Sequence, residues 1–211
     1  MSRHDNNRYR DRSPVTLWAP DAGHPDAIGL RSIGFWLYMM SDAMIFAALF
    51  AAHGVYTHAY GTSNITASQV IDPVEGLLPT LFLFTSVLMY GLASVALKND
   101  DRAGVVRWMG ASLGLGVLFL LVEVWEFAGL VGEGAVPQAS AFLSDFWTIV
   151  WVHGGHVFVG LIWMAAMLIQ ISREGFTETV VGRFINLRIF WFFQAVIWVC
   201  VYTYVYLMGA S

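Results

Sequence analysis

The sequence predicts an all-α integral membrane protein, a bundle of five transmembrane helices. Three observations lead to this fold class: 57% of the 211 residues are hydrophobic, only 12% are charged, and the apolar residues gather in five long segments. Soluble domains carry about a quarter charged residues, and inside lipid only helices and closed barrels satisfy their own backbone groups. We therefore expect a five-helix transmembrane domain over residues 32–211, preceded by a polar tail over residues 1–31.

The apolar segments that define the five helices run over residues 33–56, 77–97, 105–131, 146–171 and 185–208. Each reaches the length of about 20 residues that a helix needs to cross hydrocarbon. Glycines inside them, as in the GASLGLG run of the third segment, favour close helix approach rather than helix breaking. The single cysteine, Cys200, lies in the last segment and is predicted to be a buried small side chain.

The positive charges predict the orientation of the bundle. All 11 Lys and Arg residues lie in the tail, around the turn between the second and third segments, or around the connection between the fourth and fifth. The positive-inside rule then places the N-terminus in the cytoplasm and the C-terminus in the periplasm. The net charge of −4 gives no reason to expect a nucleic-acid partner.

A few ionisable side chains lie within the predicted spans, where such residues usually face the bundle interior or a cavity. They are Asp42 in the first span, Glu123 and Glu126 in the third, and His153 and His156 in the fourth. Counting depth at about 1.5 Å per residue puts His153 level with Glu123, and His156 level with Asp42. His53, near the end of the first span, is expected at the membrane interface.

Three interpretations of these residues compete. Di-iron bundles pair Glu-x-x-His motifs, whereas this chain carries Glu-x-x-Glu and His-x-x-His, so the arrangement does not match a metal site. A proton or ion path could use Asp42, but no polar ladder continues from it along the first span. The residues favour a structural interpretation, in which Glu123 and His153 form an interhelical hydrogen bond of about 1 kcal/mol and Glu126 meets headgroups or water.

Longer motifs carry a resemblance to a known family. The runs GFWLYMMSDAMIFAALFAAHGVY, EVWEF, HGGHVFVGLIWM and WVCVYTYVYLMG resemble subunit III of the haem-copper respiratory oxidases. The resemblance covers about residues 34–211 and is strongest to the short, five-helix form of cytochrome bo-type ubiquinol oxidases. Subunit III of cytochrome c oxidases more often has seven helices.

The resemblance implies a non-catalytic accessory subunit, without catalytic, cofactor-binding or metal-binding residues of its own. Haem and copper are expected in subunit I of the complex, where quinol electrons reduce oxygen to water and protons are pumped. The implied partners are subunits I and II, a small subunit IV and phospholipids, with no nucleic acid, in the bacterial inner membrane. The alternatives are subunit III of a cytochrome c oxidase, or an independent membrane metal enzyme or transporter.

The resemblance also assigns roles to single residues. Asp42 matches the family's membrane-buried acid, usually Glu, that reacts with carbodiimides, and Glu123, His153 and His156 match a polar and lipid-binding network. The last helix departs from the family pattern Trp-His-Phe-x-Asp-x-x-Trp, because this chain reads WFFQAVIW. Phe192 and Ala195 replace the histidine and the aspartate. Gln194 is a new polar group that could restore part of their role.

Overall fold

The computed structural model describes residues 27–56, 74 and 76–207, and within these ranges it contains five long helices and no strand. They are α1 (Ala27–Tyr56), α2 (Leu77–Lys98), α3 (Arg102–Gly132), α4 (Ala141–Glu174) and α5 (Glu178–Val201). A short 3₁₀ helix over Pro137–Ala139 precedes α4, and α5 continues as a π-helix over Tyr202–Leu207. All five are long and apolar enough to cross a membrane, which confirms the predicted fold class. The predicted tail up to residue 26 lies outside the described residues.

Capping side chains fix where the later helices begin. The side chain of Asp101 accepts a hydrogen bond from Gly104 N at the start of α3, and Ser140 accepts one from Leu143 N at the start of α4. The side chain of Thr177 accepts a hydrogen bond from Val180 N at the start of α5. These caps satisfy backbone donors that the first turn of a helix leaves free. Helices α4 and α5 therefore begin ahead of their apolar segments, which mark the hydrocarbon crossing and not the helix ends.

Two serines join α2 to α3. Ser86 Oγ donates to Ser112 O at 2.7 Å, and Ser112 Oγ donates to Ser86 O at 2.8 Å. Both side chains are buried. Small hydroxyl residues allow close approach of membrane helices and supply polar contacts between them.

A ladder of side-chain hydrogen bonds joins α2 to α5 and shows that the two helices are antiparallel. Trp198 Nε1 donates to Thr80 Oγ1 at 2.9 Å, and Trp191 Nε1 donates to Ser86 Oγ at 3.1 Å. Further along, Tyr90 Oη donates to Phe184 O at 3.0 Å. From one contact to the next, the residue number rises in α2 and falls in α5. The end of α2 and the beginning of α5 therefore lie at the same end of the bundle.

Trp191 packs against two glycines at the centre of the bundle. A Cβ atom placed on Gly116 would lie 2.9 Å from the Trp191 ring and 2.7 Å from Leu161 Cδ2. One placed on Gly160 would lie 2.8 Å from the Phe190 ring and 2.9 Å from the Trp191 ring. The last glycine of the GASLGLG run, Gly116, therefore lies where neighbouring side chains leave no room for a larger residue.

Helix α1 lies against α4 and α5 and is the most exposed of the five. Its outward side carries large apolar residues such as Leu37, Met44 and Val55. Cys200 was predicted to be buried, and this is wrong, because it is exposed on the surface of α5. A membrane helix is apolar on its lipid-facing side as well, so apolar neighbours alone do not distinguish an inward side chain from an outward one.

Candidate functional site

Asp42 and His156 come together between α1 and α4, at the common depth that the sequence predicts. Asp42 Oδ1 lies 3.2 Å from His156 Nε2, and Asp42 is buried while His156 is half-buried. His156 Nδ1 lies 2.7 Å from Val152 O, a carbonyl that can only accept, so Nδ1 carries a proton and donates. The rings of Phe46 and Phe190 flank the imidazole.

The hydrogen-bond pattern gives the Asp42–His156 pair a net charge of zero. Because Nδ1 is already protonated, a bond between Nε2 and the carboxyl needs one further proton. That proton lies either on the imidazole, as in an ion pair, or on the carboxyl, as in a neutral pair. Both forms are neutral overall, and a neutral pair is far less costly inside a membrane than a single charge.

We expect Asp42→Asn to keep this contact and Asp42→Leu to lose it. The asparagine amide can donate to Nε2 of a neutral imidazole, so the free energy of unfolding in detergent should stay close to that of the unmodified chain. Leucine leaves Nε2 without its partner and should cost about 1 kcal/mol, the usual size of an interhelical hydrogen bond in membranes. Equal losses in the two variants would show that the bond does not stabilise the bundle.

His153 is fully buried between α3 and α5, but its partner differs from the predicted one. His153 Nε2 donates to the backbone oxygen of Gln194 at 3.2 Å. The imidazole packs against Phe119, with ring centroids 5.9 Å apart, and against Trp198, at 5.1 Å. The predicted hydrogen bond with Glu123 is wrong. Phe119, one turn before Glu123 on α3, lies against the ring instead.

Glu123 and Gln194 are buried without full hydrogen bonding. Glu123 Oε1, both polar atoms of the Gln194 amide and Nδ1 of His153 have no hydrogen-bond partner among the described residues. Glu126, one turn beyond Glu123, is half-buried. A depth count gives the height of a side chain but not the direction in which it points around the helix, so equal depth did not bring Glu123 and His153 together.

A second buried pair, which the sequence did not predict, lies between His53 and Asp145. His53 Nδ1 is 2.8 Å from Asp145 Oδ2, and the two side chains are 2% and 8% exposed. The rings of Phe142 and Tyr204 contact the imidazole. The side chain of His53 is buried within the bundle, and its expected depth near the membrane interface stays a prediction. Asp145 lies one residue ahead of the fourth apolar segment, and recognising Ser140 as a helix cap would have placed it inside α4.

No group of three or more His, Cys, Asp or Glu side chains among the described residues is placed to hold a metal ion. The acids and histidines are divided between separate contacts, Asp42 with His156 and Asp145 with His53. The metal-enzyme interpretation therefore finds no ligand set in this part of the chain. The arrangement can pair helices through buried polar contacts.

Comparison with known proteins decides the family. Residues 19–210 match the protein family described as cytochrome c oxidase subunit III. The chain belongs to this family. The match covers all five helices.

Individual relatives carry two kinds of name. The chain is 41% identical over 186 residues to cytochrome bo(3) ubiquinol oxidase subunit 3 of Pseudomonas putida, covering 87% of this chain and 88% of the relative. The protein of the same name from Pseudomonas aeruginosa is 37% identical over 197 residues, which are 91% of this chain and 94% of that relative. Cytochrome c oxidase subunit 3 of a Bacillus species is 33% identical over 179 residues, covering 85% and 86%.

The structure places the three residues that were singled out in the last helix. Phe192 is exposed on α5, and Ala195 is buried. Gln194 contributes its backbone oxygen to His153, while its amide group finds no partner within the described residues. The polar contact at this level is therefore made by the main chain and not by the new side chain.

Proposed function

We propose that this chain is the non-catalytic subunit III of a proton-pumping terminal ubiquinol oxidase of the haem-copper class. The observation that carries the proposal is the 41% identity, over most of both chains, to a protein named cytochrome bo(3) ubiquinol oxidase subunit 3. In this function haem and copper belong to subunit I. There, electrons from ubiquinol reduce oxygen to water, and this chain supports that subunit.

In this function the chain contributes by packing against other membrane subunits. Large apolar residues stand outward on several helices, for example Met44 on α1, Trp125 on α3 and Trp151 on α4. Such faces bury their area against lipid or against another membrane subunit. Other subunits of the oxidase are its partners, and we propose these to be subunits I and II and a small subunit IV.

We further propose that the buried polar candidates support assembly and lipid binding. Asp42 and His156 join α1 to α4, and His153 joins α4 to α5. Glu123 belongs to the same polar network, as the family resemblance implies, and Glu126 and Gln194 add further polar groups. In this account none of the six residues takes part in oxygen chemistry.

The chain is a multi-pass bacterial membrane protein, and we propose the inner membrane with the N-terminus in the cytoplasm. The side chain of Arg102 donates to Ser172 O, so the α2–α3 turn and the end of α4 lie on one side, where the positive charges gather. A reporter enzyme that is active only in the periplasm should be active when fused after Ser211 and inactive when fused after Lys98. The reverse pattern would contradict this orientation.

The reductant of the assembled complex tests the ubiquinol assignment. The complex, purified through a tag on this chain, should consume oxygen with ubiquinol and not with reduced cytochrome c. The second candidate is subunit III of a cytochrome c oxidase, which the 33% identity to the Bacillus protein favours. Oxygen consumption with reduced cytochrome c alone would support that candidate and overturn the ubiquinol assignment.

A further inference from the structure

Two buried side chains on neighbouring helices have polar atoms without a hydrogen-bond partner. Gln194 on α5 is 0% exposed, and neither Oε1 nor Nε2 of its amide has a partner in the described part of the chain. Asp42 on α1 is 6% exposed, and its Oδ2 has no partner among the same residues, although Oδ1 contacts His156. Burying such groups without a hydrogen bond is costly, so protein interiors satisfy them with other protein groups or with ordered water.

Helix α4 brings these two side chains to the same height. His153 donates to the backbone oxygen of Gln194 at 3.2 Å. One turn further along α4, His156 contacts Asp42, also at 3.2 Å. Helix α5 runs antiparallel to α4, since the ring of Phe190, one turn before Gln194, lies against His156. A helical side chain leans toward the N-terminus of its own helix, so the Gln194 side chain extends from the level of His153 toward that of His156.

Contacts between α1 and α5 support the same height. Tyr204, in the π-helical end of α5, lies against Phe50 and His53 of α1, with ring centroids 6.0 and 5.8 Å apart. The two helices are parallel, because each runs antiparallel to α4. Gln194 lies about three turns before Tyr204, and Asp42 lies about three turns before His53. The amide and the carboxyl group are therefore level within about one helical turn.

The two groups can be joined by a molecule that both donates and accepts hydrogen bonds. Asp42 Oδ2 can only accept, because the proton that the pair with His156 requires lies on Oδ1 or on the imidazole. The Gln194 amide offers two donor hydrogens and an acceptor oxygen. Neither amide atom lies within hydrogen-bond distance of Oδ2. Water is the usual bridge between buried polar atoms that are too far apart for a direct bond.

We propose that an ordered water molecule binds between Asp42 Oδ2 and the Gln194 amide. The water donates one hydrogen bond to Oδ2 and makes a second one with the amide. It joins α1 to α5 beside the turn of α4 that carries His153 and His156. Gln194 then has two contacts, because its backbone oxygen holds His153 and its amide holds the water. The site is formed by side chains of this chain alone and does not depend on the proposed function.

The direct test is a density map at a resolution that shows ordered water, either of the crystallised chain or of the complex that contains it. We expect a peak within about 2.6–3.2 Å of both Asp42 Oδ2 and one atom of the Gln194 amide. A map without this peak, for example because the amide turns and bonds Oδ2 directly, would overturn the proposal. A peak at about 2.0–2.4 Å from these atoms would do the same, because that distance indicates a metal cation.

Gln194→Met tests the site in detergent solution, because methionine has a similar size and carries no amide. Loss of the water leaves Asp42 Oδ2 without a partner, so the unfolding equilibrium constant should rise roughly fivefold, the effect of one interhelical hydrogen bond. An amide that had no partner at all predicts the opposite sign, since methionine would then remove a costly buried polar group. An unchanged or lower constant would therefore count against the water. The matched control is Gln138→Met, which changes an exposed side chain before α4 and should leave the constant unchanged.

A double-mutant cycle shows whether the water couples the two residues. Asp42→Leu removes one end of the bridge, so adding Gln194→Met to it should have little further effect on the unfolding equilibrium constant. A full fivefold effect of Gln194→Met in both backgrounds would overturn the bridge. The density map of the unmodified chain decides the question even if one of the variants does not fold.

Discussion

Gly160→Leu is expected to separate α4 from α5 and to cause a large loss of stability. Even a single added Cβ atom would lie 2.8 Å from the Phe190 ring and 2.9 Å from the Trp191 ring, and both rings are buried. Trp191 cannot move away freely, because its Nε1 is bonded to Ser86. Overpacking of a close-packed interior typically costs about 1–3 kcal/mol, and four added heavy atoms at this contact should reach the upper end.

The matched control for this variant is Gly155→Leu on the same helix. A Cβ atom at Gly155 would meet nothing within 4 Å, and the residue is exposed. Leucine is a better helix former than glycine by roughly 1 kcal/mol, so the control should be unchanged or slightly more stable. The measurement is the free energy of unfolding of the purified chain in detergent, which keeps other subunits out of the comparison. Equal losses at both positions would contradict the close packing around Trp191.

The second large effect is expected when the His53–Asp145 pair is broken. Asp145→Ala leaves a buried imidazole without its carboxylate, and removing one partner of a buried pair costs about 3 kcal/mol or more. Asp145→Asn should cost less, because the amide still offers a hydrogen-bonding group to His53 Nδ1. Glu133→Ala is a suitable control, since this exposed acid follows α3 and should stay within about 0.5 kcal/mol of the unmodified chain.

A double-mutant cycle shows whether the two residues act together. If they do, adding His53→Ala to Asp145→Ala should cost much less than His53→Ala costs alone, because the partner has already been removed. Strictly additive losses would mean that the 2.8 Å contact contributes no coupling between α1 and α4. Unfolding titrations of all four chains in the same detergent supply the numbers.

The fold class could be predicted from the sequence because lipid imposes a simple requirement on the backbone and on composition. Long apolar segments in a membrane have to be helical, and the five segments correspond to the five helices. The helix ends could not be read from hydropathy, because side-chain caps such as Ser140 and Thr177 start the helices in polar sequence. Asp145 was missed for this reason alone.

The candidate site could be predicted only in part, for geometric reasons. Depth along a helix is linear in residue number, and so His156 was correctly placed level with Asp42. The direction of a side chain around the helix depends on which face meets which neighbour. When every face of a helix is apolar, the sequence does not show which face meets a neighbouring helix. For this reason the partner predicted for His153 was wrong. For the same reason Gly116 could not be recognised as the close-contact glycine of the GASLGLG run.

We propose that this chain serves an oxidase as a subunit and that the redox centres lie in another subunit. The most direct measurement is purification of the native complex from membranes through a tag on this chain, followed by optical spectroscopy and identification of the co-purifying proteins. We predict that a haem-bearing subunit I accompanies the chain and that haem absorbance leaves with that subunit when the complex is dissociated. A chain that purifies without any haem-bearing partner, or that keeps haem or copper after separation, would contradict the account.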